Sequence, residues 1–362
     1  MAGVAVPMII QPSTSKVESQ QRRKCVPQKL KSKCVFSSWA FGAKSSSKNV
    51  HLKLTRIFSH QTKAVSTLGA IAVSPVSNVG GNLKSLTNFR ISETFEELRK
   101  KRQVAFIPYL TAGDPNLETT AAAVKLLEQC GADIIELGVP YSDPLADGPV
   151  IQAAATRAIS GGTNLDSVLT LMREGLSDIK VPIVLFLYYN PLLKRGVQKF
   201  LAEAKAAGAS GLVVPDLPLE ETTNLRKLTS VAGLELILLT TPTTPTVRMR
   251  AIADASQGFV YLVSLTGVTG ARASIDARVE DLVKNIKKAS DKPVAVGFGV
   301  STAEQAAKLA EWGADGVIIG STVVKLLGES GSPETGLKAV KEFAIEVRAA
   351  LAPTNRPLSP HD

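Results

Sequence analysis

This 362-residue sequence predicts an α/β fold: a single closed (β/α)8 TIM barrel with one extra N-terminal helix. Three observations predict it. Eight short apolar runs rich in β-formers recur from about residue 104 onward, separated by segments with helical spacing of apolar residues, such as ETTAAAVKLLEQC and TAEQAAKLAEWG. Those runs are nearly continuous rather than alternating, as strands buried on both faces are. Eight strand–helix units in about 260 residues match the size of a closed barrel built from right-handed βαβ connections. A doubly wound open sheet is the alternative, but no GxGxxG follows the first run.

In chain order, SETFEELRKKR (92–102) reads as the extra helix that closes the barrel's base. Ser92 is its expected N-cap, and its acids precede its bases in the sense the helix dipole favours. The strand runs are VAFIPYL (104–110), DIIELG (133–138), PIVLFLY (182–188) and GLVVP (211–215). LELILL (234–239), GFVYLV (258–263), PVAVGF (293–298) and GVIIG (316–320) follow. Gly131, Gly208 and Gly313 each precede an Ala and the next strand, as C-terminal glycine caps would.

The formal charge of +10 invites a nucleic-acid reading, but its distribution argues against one. Residues 1–90 hold 14 of the 42 Lys/Arg and a single acid, Glu18, leaving 28 bases against 31 acids in the rest. The basic segment is Ser-rich and aperiodic, which fits an organellar transit peptide; a basic tail for nucleic acid or a membrane surface is the alternative. The expected organisation is therefore a disordered leader over 1–88, a catalytic barrel over 89–353 and a tail over 354–362. No 18-residue apolar run is present, so no membrane helix is expected. Cys25 and Cys34 fall in the leader, which leaves Cys130 as an expected core residue. The three histidines, His51, His60 and His361, all lie in the tails, and no pair spacing suggests a metal site.

Chemistry in such barrels sits at the C-terminal ends of the strands. There the chain reads ELGVPYSDPLADGP (136–149). Glu136 stands among Ile134, Ile135, Leu137 and Val139, where burial should raise its pKa toward a range useful for proton transfer. Asp147 follows in a Pro- and Gly-punctuated loop able to fold back over the mouth, so two carboxylates in unlike surroundings can divide acid and base roles. The bland alternatives are a Glu paired with a buried donor and an ordinary Asp-Gly turn. Glycine-rich strand ends, SLTGVTGAR (264–272), GFG (297–299) and GST (320–322), suit a phosphate held on backbone N–H groups at a helix N-terminus, or else tight turns alone. None of the eight strand runs contains a Lys, so no Schiff-base lysine is apparent. The residues thus point to acid–base chemistry on a phosphorylated small molecule.

The strings PYLTAGDP, ELGVPYSDPLADGP, LFLYYNP, VVPDLP, YLVSLTGVTG, GFGVS and IIGS occur in this order. From about Phe89 to Leu351 the chain closely resembles the tryptophan synthase alpha chain family. With its leader it is similar to plant members targeted to the plastid stroma. The resemblance implies retro-aldol cleavage of indole-3-glycerol phosphate to indole and glyceraldehyde 3-phosphate. It assigns general acid–base catalysis to Glu136 and stabilisation of the indole N–H to Asp147. It puts an indole pocket on Tyr109, Phe186, Tyr188 and Tyr261, a mobile-loop threonine on Thr269, and phosphate contacts on Gly270, Phe298, Gly299, Gly320 and Ser321. It also implies no cofactor in this chain, and a partner, the pyridoxal-phosphate-dependent beta chain, in an alpha2beta2 assembly. YYNPLLKRG (188–196) resembles the family's beta-contact segment. Leu265 departs from the Arg that many bacterial members carry. A free-standing lyase releasing indole for defence metabolism, and a non-catalytic allosteric partner of the beta chain, are the alternatives.

Overall fold

A computed structural model describes residues 89–264 and 278–352. The expected leader and C-terminal tail, together with Leu265, Thr269 and Gly270, lie outside the described residues. The strands are β1 (Ala105–Thr111), β2 (Ile135–Gly138), β3 (Ile183–Phe186), β4 (Ala209–Val213), β5 (Glu235–Thr240), β6 (Val260–Val263), β7 (Val294–Gly297) and β8 (Gly316–Ile319). All pair in parallel with their sequence neighbours, and β8 closes on β1, so the sheet is a complete barrel. The open doubly wound alternative is thereby excluded.

The chain alternation turns nearly continuous apolar strands into two separate cores. In β1, Ala105, Ile107 and Tyr109 point into the barrel, while Phe106 and Leu110 pack outward against the helices. Val184, Ile237 and Ile318 fill the interior from the other strands in the same way. Outside lie Leu127 of α2 (Leu117–Gln129), Phe200 of α6 (Val197–Ala206) and Leu309 of α10 (Ala303–Glu311). Each of these three helices ends before a glycine at positive φ, Gly131 at 88°, Gly208 at 94° and Gly313 at 99°, as the sequence predicts.

The base is closed by α1 (Ile91–Lys100), whose Ile91, Phe95 and Leu98 join the barrel interior. The Phe95 ring lies 5.4 Å from that of Phe259, just before β6. One expectation is corrected here. Ser92 is not the N-cap: the helix starts at Ile91 after Arg90, and no side chain of its own caps it. The buried carboxylate of Glu235, at the start of β5, instead accepts the Ile91 N–H at 2.7 Å and the Ser92 N–H at 3.2 Å. A tertiary acceptor does the work of a local cap, and it places negative charge at the positive end of the helix.

β2 starts two residues later than its apolar run, and the Asp133 side chain just before the strand binds neighbouring elements. Its Oδ2 accepts the Phe106 N–H at 2.8 Å and an Arg348 N–H at 2.9 Å. Cys130 is half-buried against the outer core, in keeping with a packing role.

The remaining α-helices among the described residues follow the strands in turn. After β2 comes α3 (Pro149–Ser160), followed by α4 (Leu165–Thr170). After β3 comes α5 (Tyr189–Arg195), and after β4 comes α7 (Thr222–Ala232). α8 (Thr246–Ala255) and α9 (Arg278–Ala289) flank β6. α11 (Ser321–Gly328) follows β8 directly, and α12 (Pro333–Ala350) ends the described chain.

Candidate active site

The interior–exterior alternation decides where Glu136 points. Ile135 and Leu137 belong to the outer core, so the side chain between them enters the barrel. It pairs in register with Tyr109 on β1 and Val184 on β3, both interior positions. Glu136 is 2% exposed, and its Oε1 has no hydrogen-bond partner. Burial, followed by the nearby Asp147 charge, pushes its pKa from 4.5 up to about 8. The alternative of a structural Glu paired with a buried donor leaves that oxygen unexplained.

Asp147 ends the loop after β2, one residue before Gly148 caps α3. The loop is folded on itself, with Asp147 N–H donating to the Pro144 carbonyl at 3.1 Å. The Gln152 side chain donates to the Asp147 carbonyl at 2.8 Å. Asp147 is buried as well, and this raises its pKa from 3.8 to about 6. A hydrogen bond from the Tyr188 hydroxyl acts in the opposite direction by favouring the carboxylate. Burial thus favours the protonated form more strongly at Glu136 than at Asp147, whose charge Tyr188 supports. Two carboxylates in one cavity whose surroundings push their pKa values apart suit divided acid and base roles.

Both acids line one cavity at the C-terminal end of the barrel, with about 410 Å³ of empty space. Tyr109, Phe186, Tyr261 and Phe298 form its aromatic walls. The Tyr109 and Phe186 rings meet edge-on at 5.7 Å, as do Tyr261 and Phe298 at 5.8 Å. Room for the two tyrosine hydroxyls is made by strand-end glycines: a Cβ on Gly138 would lie 2.1 Å from the Tyr109 oxygen, and one on Gly297 would lie 2.6 Å from that of Tyr261. Burial raises the pKa of both phenols well above the ordinary value, so they stay neutral.

The same cavity is lined by Gly299, Gly320 and Ser321, which follow β7 and β8. Gly320 precedes the first turn of α11 and provides no side-chain cap, so that turn's N–H groups face the cavity without local acceptors. On the adjoining loop Phe298 and Gly299 hold φ at 70° and 79°. The left-handed region is costly for a phenylalanine, and the Ser264 hydroxyl, which donates to the Phe298 carbonyl, helps to fix it. A helix N-terminus beside a left-handed loop is a suitable anion cradle.

The structure thus gathers nine of the twelve sequence-selected residues around one cavity. Tyr188 is not among the lining residues: it stands behind Asp147, where its hydroxyl also accepts the Ala146 N–H at 3.0 Å. Ile151, Val300 and Ile318 line the cavity too and were missed. The strand alternation could have revealed Ile318, since Ile107 and Tyr109 carry the same signal on the neighbouring strand. Among the described residues no group of three His, Cys, Asp or Glu side chains could hold a metal ion, and no helix is long and apolar enough to cross a membrane.

Comparison with known proteins agrees with this geometry. The family model described as "Tryptophan synthase alpha chain" matches residues 95–352. The tryptophan synthase alpha chain of Arabidopsis thaliana is 57% identical over 261 residues, covering 72% of this chain and 95% of the relative. That of Synechocystis is 56% identical over 262 residues, covering 72% and 99%. Among solved structures, tryptophan synthase of Mycobacterium tuberculosis aligns with a TM-score of 0.67 at 38% identity, covering 72% of this chain and 98% of that one. The tryptophan synthase complex of Pyrococcus furiosus gives 0.64 at 39%, covering 68% and 98%. A match over most of the chain, at identities well above those that show a fold alone, places this protein in the tryptophan synthase alpha chain family.

Proposed function

We propose that the chain is the lyase of tryptophan biosynthesis that cleaves indole-3-glycerol phosphate to indole and glyceraldehyde 3-phosphate. The observation that carries the reading is Glu136, buried inside the barrel with its Oε1 lacking a hydrogen-bond partner, sharing a cavity with Asp147 and a glycine-lined helix N-terminus. In this reading the phosphate sits on the first turn of α11 and the indole lies between the aromatic walls. Glu136 delivers its proton to the ring carbon that bears the side chain, and Asp147 accepts the indole N–H and offsets the positive charge that forms on it. The ring carbon–side chain bond then breaks, and its electron pair restores the aromatic ring. The side-chain hydroxyl becomes the aldehyde as its proton passes to the Glu136 carboxylate, which regenerates the acid. No water and no redox partner enters the balance.

The chain's own residues supply every group in that sequence, so the activity is assigned no cofactor here. Pyridoxal phosphate is assigned to the beta-chain partner, which would receive the indole within an alpha2beta2 assembly. The leader is read as a plastid-stroma transit peptide. The test is indole release from indole-3-glycerol phosphate by a purified chain beginning at Thr87, with and without a beta chain. Release that the beta chain accelerates supports the synthase role. Full turnover without it supports the free-standing lyase, and no turnover in either case overturns the reading. Failure of a leader–reporter fusion to enter plastids would overturn the address.

A further inference from the structure

Asp114 lies in the loop after β1 and is 2% exposed, yet it has no place in the cavity. Both of its oxygens are taken by one side chain. Arg157 Nε donates to Oδ1 at 2.7 Å and Nη2 to Oδ2 at 2.8 Å, a bidentate pair with the guanidinium a third exposed. Arg157 comes from the last turn of α3, the helix whose first turn follows Asp147. The end of α11 packs on the same pair: a Cβ on Gly328 would lie 2.5 Å from Arg157 Nη2 and 2.5 Å from Asp114 Oδ2. β1, α3 and α11 also pack on one another.

These three elements carry the two halves of the site. β1 presents Tyr109, α3 begins beside Asp147 and carries Ile151, and α11 begins with Ser321 after Gly320. Just past the C-terminal end of β1, Asp114 meets the last turns of α3 and α11 through Arg157 and Gly328. We propose that this pair is a positioning clamp that fixes the distance between the carboxylates and the anion cradle. Arg157 acts only through α3 and Asp114, and touches no reacting atom. A buried bidentate ion pair suits the task because its planar fork fixes angle as well as distance, which an apolar contact does not. The idea rests on the proposed reaction, since its substrate must span both halves at once.

That dependence supplies the test. Three ligands are titrated by calorimetry into wild type, Arg157→Gln and Gly328→Ala, all checked for folding by circular dichroism. They are indole, glyceraldehyde 3-phosphate, and an unreactive analogue joining indole to phosphate through a three-carbon chain. Each small ligand uses one half of the site, and the analogue needs both. In the variants the analogue should bind about tenfold more weakly while the two small ligands bind as to wild type, because misplacing two groups by a fraction of an ångström penalises only the ligand that bridges them. Gly328→Ala wedges the clamp without removing a charge, so it carries the test if Arg157→Gln fails to fold. Unchanged analogue affinity in the folded variants would overturn the clamp. So would equal weakening of all three ligands, which marks a merely structural pair. Wild type that binds neither the analogue nor glyceraldehyde 3-phosphate would instead defeat the reaction itself.

Discussion

The Tyr188 hydroxyl donates to the Asp147 carboxylate while accepting the N–H of Ala146, so one phenol fixes both the charge and the backbone of the loop that carries the second acid. β3 ends at Phe186, and Tyr188 sits two residues beyond it, before the first turn of α5. The position of Asp147 is therefore set by the segment after β3 as well as by its own loop.

Replacing Tyr188 by Phe should raise the pKa of Asp147, because the lost hydrogen bond favours the charged form. In the proposed reaction Asp147 acts ionised. The kcat/KM of indole release should rise with pH through about 6 in the wild type. It should rise at higher pH in Tyr188→Phe, with roughly tenfold lower activity at neutral pH, the loss expected for one charge-assisted hydrogen bond. An unmoved acid limb in the pH–rate profile would count against the link.

Glu136→Gln keeps the shape and removes the proton. Activity should fall at least ~10²-fold, the low end for general acid–base catalysis. The same change should stabilise the fold, with a definite sign. The folded-state pKa of about 8 exceeds the ordinary 4.5, so Glu136 favours folding fully only below pH 4.5 and loses that contribution as pH rises through 8. The variant should gain on the wild type across this window, by an amount on the order of a few kcal/mol, and the gap should be flat beyond it. Urea denaturation of both proteins at pH 4.5, 6.5 and 8.5 measures it.

Gly320 faces Tyr109, whose Cβ and Cδ1 would lie 3.4 Å from an added Cβ. Gly320→Leu should fill the approach to the first turn of α11 and abolish discrimination between glyceraldehyde 3-phosphate and unphosphorylated glyceraldehyde as inhibitors. Ser321→Ala removes one hydroxyl and should weaken phosphate binding by only ~1–3 kcal/mol. Inhibition constants for both aldehydes in the wild type and both variants decide the matter. Equal inhibition in the wild type would place the anion elsewhere.

At the opposite end of the barrel, Glu235→Ala should leave two N–H groups of α1 without their acceptor. A loss of about 2 kcal/mol in urea denaturation is expected, with the kcat of indole release unchanged, since α1 lies at the base. Loss of kcat without loss of stability would contradict this division between base and mouth.

The eight strand–helix units were legible in the sequence because each rests on signals a few residues apart: apolar runs, helical spacing, and glycine where a helix must end. The two carboxylates and the cradle glycines could be selected for the same reason, since acids and glycines at strand ends are local anomalies. The resemblance assigned their roles. What the sequence left open was settled by partners far away in the chain. The alternation of interior and exterior faces, fixed when β8 closes on β1, turned Glu136 inward and deprived Oε1 of a partner. The cap of α1 came from a carboxylate 144 residues on, so the local expectation at Ser92 failed. Asp114 and Arg157, 43 residues apart, met only when α3 packed across β1. Short-range propensity is written in neighbouring side chains, whereas burial, pKa and buried ion pairs depend on which surfaces the closed barrel brings together.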